Sequence, residues 1–150
     1  MAPETLLLNR CVILQSAEET VQLGAWVAST LTKPTILFLY GDLGSAKTTF
    51  SKGFINYLTS EPLANITSPT FVYMNLYESS TYPIAHFDLY RLKSQKEFLS
   101  LGFDEILNSN NHCLIEWPEI IEDLPISAIK LKFSTYQNYR KVELIGGTFE

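Results

Sequence analysis

The segment Gly41-Asp42-Leu43-Gly44-Ser45-Ala46-Lys47-Thr48 constrains this chain more than any other, because of what stands on either side of it. Before it, Thr35-Ile36-Leu37-Phe38-Leu39-Tyr40 is a short, continuously apolar run, the pattern of a strand buried on both faces of an α/β sheet. After it, Phe50, Phe54, Ile55 and Leu58 fall on one side of a helix predicted over residues 47–58. Strand, glycine-bearing loop and helix in that order form the context of a phosphate-binding P-loop. Converging backbone N–H groups at the positive end of the helix cradle the α- and β-phosphates. The pattern assigns Lys47 to the β- and γ-phosphate oxygens and the Thr48 hydroxyl to Mg²⁺, and Thr49 can add an oxygen contact.

The match departs from the pattern at one place, because glycine is asked for immediately before the lysine and Ala46 stands there. A glycine lets the backbone approach a phosphate closely, whereas a methyl group crowds it or disfavours the φ/ψ required. Two acids close apolar runs and can complete the site: Asp88 after Ile84-Ala85-His86-Phe87, and Glu116 after Cys113-Leu114-Ile115. P-loop NTPases present such an acid to Mg²⁺ or its water shell. Position alone does not separate the two from each other or from ordinary solvated strand ends.

Around this centre, residues 6–14 read as a first strand. Ser16 with Glu19 forms a capping box that starts a helix at Ala17, carrying an apolar stripe of Val21, Ala25, Ala28 and Leu31 until Pro34. Residues 71–77 and 82–88 read as a hairpin around the polar turn Glu78-Ser79-Ser80-Thr81. Ser94 and Glu97 make a second capping box, and Gly102 closes that helix. A brief strand over 113–116 and a second strand pair, 126–133 and 139–145, complete the reading. The expected fold is α/β, a P-loop NTPase-like three-layer sandwich with a central mixed β-sheet flanked by helices.

At 150 residues and 46% hydrophobic the chain has material for one core, so a single domain over residues 1–150 is expected. Eleven Lys and Arg against sixteen Asp and Glu give a net charge of -5, which disfavours unaided nucleic-acid binding. Arg91, Lys93 and Lys96 therefore read as a solvated face or a contact with an acidic partner rather than as a nucleic-acid site. Cys11 and Cys113 stand far apart in apolar runs and read as reduced, buried thiols, which favours a cytoplasmic location. No apolar run approaches the roughly 20 residues of a membrane span, and no signal peptide is evident.

Four segments in order, Gly41-Asp42-Leu43-Gly44 with Lys47-Thr48-Thr49-Phe50, Ser68-Pro69-Thr70-Phe71, His86-Phe87-Asp88-Leu89-Tyr90-Arg91-Leu92 and Ile115-Glu116-Trp117-Pro118-Glu119, make the chain resemble the TsaE (formerly YjeE) family over nearly its whole length. The resemblance implies a small bacterial ATPase that uses ATP and Mg²⁺ and supports N6-threonylcarbamoyladenosine synthesis at position 37 of tRNAs decoding ANN codons. It implies partners TsaD and TsaB, with tRNA reached only through that complex, and ATP turnover that resets the complex between catalytic cycles. A separate enzyme makes the threonylcarbamoyl-adenylate. The chain alone is expected as a monomer or weak oligomer.

Carried onto these residues, the resemblance makes Thr48 and Glu116 the Mg²⁺ ligands, Lys47 the phosphate contact and Asp88 the acid near the γ-phosphate or its attacking water. Gly41, Asp42, Leu43, Gly44, Ser45, Ala46, Lys47, Thr48 and Thr49 form the nucleotide loop. Thr70 lies in a switch-like SPT segment whose plain alternative is a proline-set turn. Adenine contacts fall loosely on Thr20 and on Tyr139 or Arg140. Trp117 with Tyr90 and Arg91 reads either as a partner-facing surface or as a packed turn lid. His86, inside an apolar strand, reads as structural, and His112 as solvent-facing.

Ala46 keeps a second reading open, a nucleotide-weak adaptor subunit of the same complex. The set of Lys47, Thr48, Asp88 and Glu116 argues against complete loss of the site. A small P-loop kinase fits poorly, because Arg10, Arg91 and Arg140 are the only arginines and cannot furnish an Arg-rich lid.

Overall fold

The computed structural model describes residues 3–44 and 46–149. At its centre lies β2 (Ile36–Tyr40), whose Leu37, Phe38 and Leu39 are buried, as an unbroken apolar run requires of a strand covered on both faces. With β1 (Cys11–Leu14), β3 (Met74–Tyr77), β4 (Ile84–Asp88), β5 (His112–Glu116), β6 (Ile129–Thr135) and β7 (Arg140–Gly146) it forms, among the described residues, a seven-stranded sheet of order β1-β7-β6-β2-β5-β4-β3. Strands β6, β2, β5 and β4 run parallel, while β1, β7 and β3 pair antiparallel with their neighbours. The sheet is mixed, and its parallel centre brings the carboxyl ends of β2, β4 and β5 to one edge. Ligands of open α/β sheets bind at that edge.

Helices cover the sheet on both sides. α1 (Thr5–Asn9), α2 (Ala17–Thr30) and α3 (Lys47–Leu58) contribute to one core with Leu6, Leu23, Val27, Phe50 and Phe54. α4 (Gln95–Ser100) and α5 (Phe103–Leu107) contribute to the other, where Phe87, Phe98 and Phe103 meet edge-on or tilted. This is the expected α/β sandwich of three layers.

Both serine caps form, and in each the glutamate reaches past the serine to the N–H of the residue before it. Ser16 Oγ accepts from the Glu19 N–H, and the Glu19 carboxylate reaches back to the Gln15 N–H. Ser94 and Glu97 repeat the arrangement, with Glu97 accepting from the Lys93 N–H. Gly102 takes φ 77° between α4 and α5. The antiparallel pairing of β3 with β4 and of β6 with β7 matches the two predicted strand pairs, with ends shifted by a few residues.

Helices α2 and α3 touch backbone to backbone. A Cβ on Gly24 would lie 2.1 Å from the Phe50 carbonyl oxygen, and one on Gly53 would lie 2.0 Å from that of Val21. Backbone atoms at such range cannot swing aside as a side chain can, so each glycine is required by the other helix.

Several expectations are corrected. Residues 6–14 are not one strand: Thr5 and three leucines, which favour helix, form α1, and Arg10 at φ 59° turns the chain into β1. The buried stripe of α2 is Thr20, Leu23, Gly24, Val27 and Ala28, so Val21 and Ala25 lie on its flank. Phe71 and Val72 stand exposed in a turn closed by Tyr73 N–H to Pro69 C=O, and β3 starts at Met74. Cys11 is half-buried rather than buried; Cys113 is buried, which pushes its thiol up to about 12.

His112 is also corrected, being 2% exposed at the start of β5. Its Nδ1 accepts from the Thr35 N–H, and the rings of Phe54 and Tyr82 meet it edge-on. Burial pulls its pKa below the ordinary 6.5, so the folded state favours the neutral ring. That contribution is complete above the unfolded value and is lost as the pH falls from there toward the folded value.

Two outcomes follow from this packing. Gly24→Ala and Gly53→Ala should each cost about 2–3 kcal/mol in urea unfolding, from overpacking against backbone. Wild type should lose more stability than His112→Gln between pH 7 and pH 5; equal losses would show that His112 is not held neutral.

Candidate functional site

Among its described residues, the loop that leaves β2 bends at three positive-φ positions, Gly41 (147°), Gly44 (75°) and Ala46 (82°), before α3 begins at Lys47. Ser45 lies outside the described residues. Ala46 sits in the left-handed region where glycine is ordinarily found, at a cost of about 1 kcal/mol for an L side chain. The departure from the glycine pattern therefore changes the residue while the backbone turn is kept. Ala46 C=O accepts from the Phe50 N–H at 3.0 Å, which ties the turn to the first helical bond.

Lys47 is buried, and its ammonium donates to the carbonyls of Gly41 and of Asp42, the latter at 2.9 Å. It also lies 4.3 Å from the centroid of the Trp117 ring. Burial lowers the Lys47 pKa, opposed by Glu116, Glu119, Asp88 and Asp42, all of which favour the charged form. Trp117 reaches this position because its backbone turns at φ 59° directly after β5, and its ring packs 4.8 Å from that of Tyr90. These contacts are those of a ring packed over the loop. Tyr90 remains half exposed, and the Arg91 guanidinium lies over the Phe71 ring.

The two acids are direct neighbours, since the parallel register of β4 and β5 pairs Asp88 with Glu116. They engage different elements. Glu116 takes the Thr48 hydroxyl at 3.0 and 3.2 Å to its two oxygens, and His86 Nε2 lies 2.6 Å from Oε2. Asp88 Oδ2 accepts from the Ser68 hydroxyl at 2.6 Å, and Oδ1 accepts from the Tyr90 N–H at 3.0 Å. Both carboxylates are almost fully buried, and each has its donors in place.

A cleft of about 330 Å³ gathers Leu43, Gly44, Ala46, Lys47, Thr48, Thr49, Thr70, Asp88, Glu116 and Arg140, together with Ser68 and Trp117. Gly41 and Asp42 line a larger adjoining groove of about 860 Å³, with Lys130, Lys132 and Tyr136, on the other side of Trp117. That groove lacks Lys47, Thr48 and both strand-end acids, so size does not identify the chemical centre here. Thr20 is not among the residues lining the cleft: it is fully buried, and its hydroxyl donates to the Ser16 carbonyl of its own helix. Tyr139 stacks on Tyr136 at the hairpin tip.

Two residues gain importance that the sequence did not give them. His86 lies one strand repeat below Asp88 on the same face of β4, and Ser68 joins the SPT segment to Asp88. Alternation along β4 was a readable signal for His86. The Ser68 contact spans 20 positions and had none.

A family model described as Threonylcarbamoyl adenosine biosynthesis protein TsaE matches residues 14–142. The curated tRNA threonylcarbamoyladenosine biosynthesis protein TsaE of Rickettsia felis is 46% identical over 113 residues, which is 75% of this chain and 65% of that protein. The match thus spans a little under two thirds of that relative's length. The Rickettsia bellii protein of the same description is 43% identical over 129 residues, 84% of this chain and 88% of the relative. The Bacillus subtilis one is 38% identical over 106 residues, 71% of this chain and 65% of the relative. The crystal structure of Bacillus subtilis YdiB aligns with a TM-score of 0.68 at 30% identity, covering 91% of this chain and 85% of that one.

Ala46→Gly should stabilise the fold by about 0.5–1 kcal/mol, the relief of left-handed strain exceeding the added freedom of the unfolded glycine. Chemical denaturation reads this directly, and a loss of stability would contradict the left-handed turn.

Proposed function

Because the chain belongs to the TsaE family, we propose that it binds ATP with Mg²⁺ and hydrolyses it as a subunit of the machinery forming N6-threonylcarbamoyladenosine at A37 of tRNA. In this reading it works with TsaD and TsaB and sustains their repeated turnovers. The observation that carries the reading is the Thr48–Glu116 hydrogen bond at the N-terminus of α3, beside buried Lys47 and with Asp88 in register on the next strand.

The donor set fits the proposed ligands. The Thr48 hydroxyl and the Glu116 carboxylate are hard oxygen donors of the kind Mg²⁺ takes, one or two from protein with phosphate and water completing its shell. No acid stands in the first turn of α3, so the positive end of its dipole is left for an anion. Bound Mg²⁺ would supply charge neutralisation to the β- and γ-phosphates.

The remaining work falls to the chain's own groups. Lys47 turns from the Gly41 and Asp42 carbonyls to phosphate oxygens, where the surrounding carboxylates favour its charged form and oppose the effect of burial. Asp88, held by the Ser68 hydroxyl and the Tyr90 N–H, orients the attacking water and takes its proton on a carboxylate oxygen. Thr70 and Arg140 line the cleft and add donors toward the terminal phosphate and the nucleoside. Trp117 shields the Lys47 ammonium from water. With a net charge of -5, contact with tRNA goes through the partners.

Calorimetric titration with Mg²⁺-ATP should give micromolar binding to wild type, weakened at least about tenfold by Lys47→Ala. Undetectable binding in both wild type and Ala46→Gly would overturn the ATPase reading in favour of the adaptor. In the presence of TsaD and TsaB, Asp88→Asn should lower ATP turnover by about 100-fold with nucleotide affinity nearly unchanged. Full turnover by that variant would remove Asp88 from the chemistry.

A further inference from the structure

We infer that His86 is a positioning residue for Glu116: its imidazole fixes the carboxylate in the orientation that Thr48 and a Mg²⁺ ion on the nucleotide require. The inference rests on the ATP reading above and concerns a residue that reading leaves without a task. His86 is fully buried in the middle of β4, and its Nε2 lies 2.6 Å from Glu116 Oε2. Its other nitrogen, Nδ1, is buried and has no hydrogen-bond partner among the described residues.

That asymmetry sets the direction of the bond. A carboxylate accepts and does not donate, so Nε2 carries a hydrogen. A buried acceptor without a partner is tolerated more readily than an orphaned N–H. The tautomer follows from the hydrogen-bond network. Packing alone would be served at lower cost by Leu or Met, because a buried imidazole with one idle nitrogen carries a desolvation penalty. What a hydrocarbon cannot supply is the donor to Glu116.

The consequence is a relay of orientation across three elements. Thr48 on α3 donates to Glu116 on β5, and His86 on β4 donates to the same carboxylate. Held by two donors from different elements, the Glu116 head group is restrained in rotation about its last bond. Outer-shell partners of metal ligands act in this way, and their loss commonly weakens metal affinity 10–100-fold.

The test measures ATP affinity with Mg²⁺ and with EDTA, because a positioning role acts on the difference between the two. In wild type Mg²⁺ should tighten ATP binding. His86→Leu should reduce that tightening by about tenfold or more, with the affinity in EDTA changed less than about twofold, and His86→Gln, which restores an N–H donor, should recover most of it. In the Glu116→Gln background, His86→Leu should add no further loss. Tightening by Mg²⁺ that survives in His86→Leu would reduce His86 to packing and overturn the inference with the ATP reading intact. Wild type that binds no ATP in either condition would overturn both.

A measurement on the unaltered protein serves should the leucine variant not fold. The chain has two histidines, and His112 bonds to the Thr35 N–H at the opposite end of β5. In ¹⁵N histidine spectra His86 should show the Nε2–H tautomer, and adding Mg²⁺ to ATP-saturated protein should shift its ring signals while leaving His112 in place. A His86 ring that carries its hydrogen on Nδ1, or that does not respond to Mg²⁺, would overturn the inference.

Discussion

The backbone contact between α2 and α3 governs much of what this molecule can do. Gly24 admits the Phe50 carbonyl and Gly53 admits the Val21 carbonyl, so the helices approach without side chains between them. Phe50 and Phe54 of α3 are meanwhile driven into the core against the sheet. With one side locked to α2 and another to the strands, α3 has little freedom to slide. Lys47 and Thr48, at its first two positions, inherit that fixed position within a turn of the contact. The precision of the site thus begins with two residues that have no side chain.

At the N-terminus of the same helix, the cost of burying charge is met pair by pair. Lys47, Asp88 and Glu116 are almost fully buried, and each is hydrogen-bonded to groups brought from another element or from the loop. The adjacent acids differ in task because they differ in neighbours. Glu116 stands on β5, next to the strand that launches the phosphate loop, and so meets Thr48. Asp88 stands one strand farther out and meets the loop containing Ser68.

Local features of this fold were legible in the sequence wherever short-range chemistry decides them. Both serine caps, the strand at β2, α3 and the left-handed Gly102 depend on residues within a few positions of one another. The tie between Asp88 and Glu116 could not be broken in that way, because strand order decides it, and the resemblance to a family stood in for the missing topology. The three leucines after Thr5 favour helix but run on into the apolar residues of β1, and the left-handed Arg10 that separates α1 from β1 left no mark. The asparagines before His112 suggest a loop, whereas the chain turns inward one residue sooner than they imply. Ala46 was visible as an anomaly in the motif. That the turn persists with a methyl group in it is a matter of φ, which composition does not encode.

The uniform burial of β4 and β5 carries a further consequence. Every residue of both strands is buried, so alternation between oil and water, which fixes the register of half-exposed strands, is absent here. A slip of one residue would cost their hydrocarbon side chains little. It would, however, turn Asp88 from its polar partners toward the phenylalanines on the opposite face and set His86 apart from Glu116. Unpaired polar groups in that setting are heavily penalised. The residues of the site therefore act as the key that tells one strand alignment from the next, so that the cleft forms only in the correctly threaded sheet.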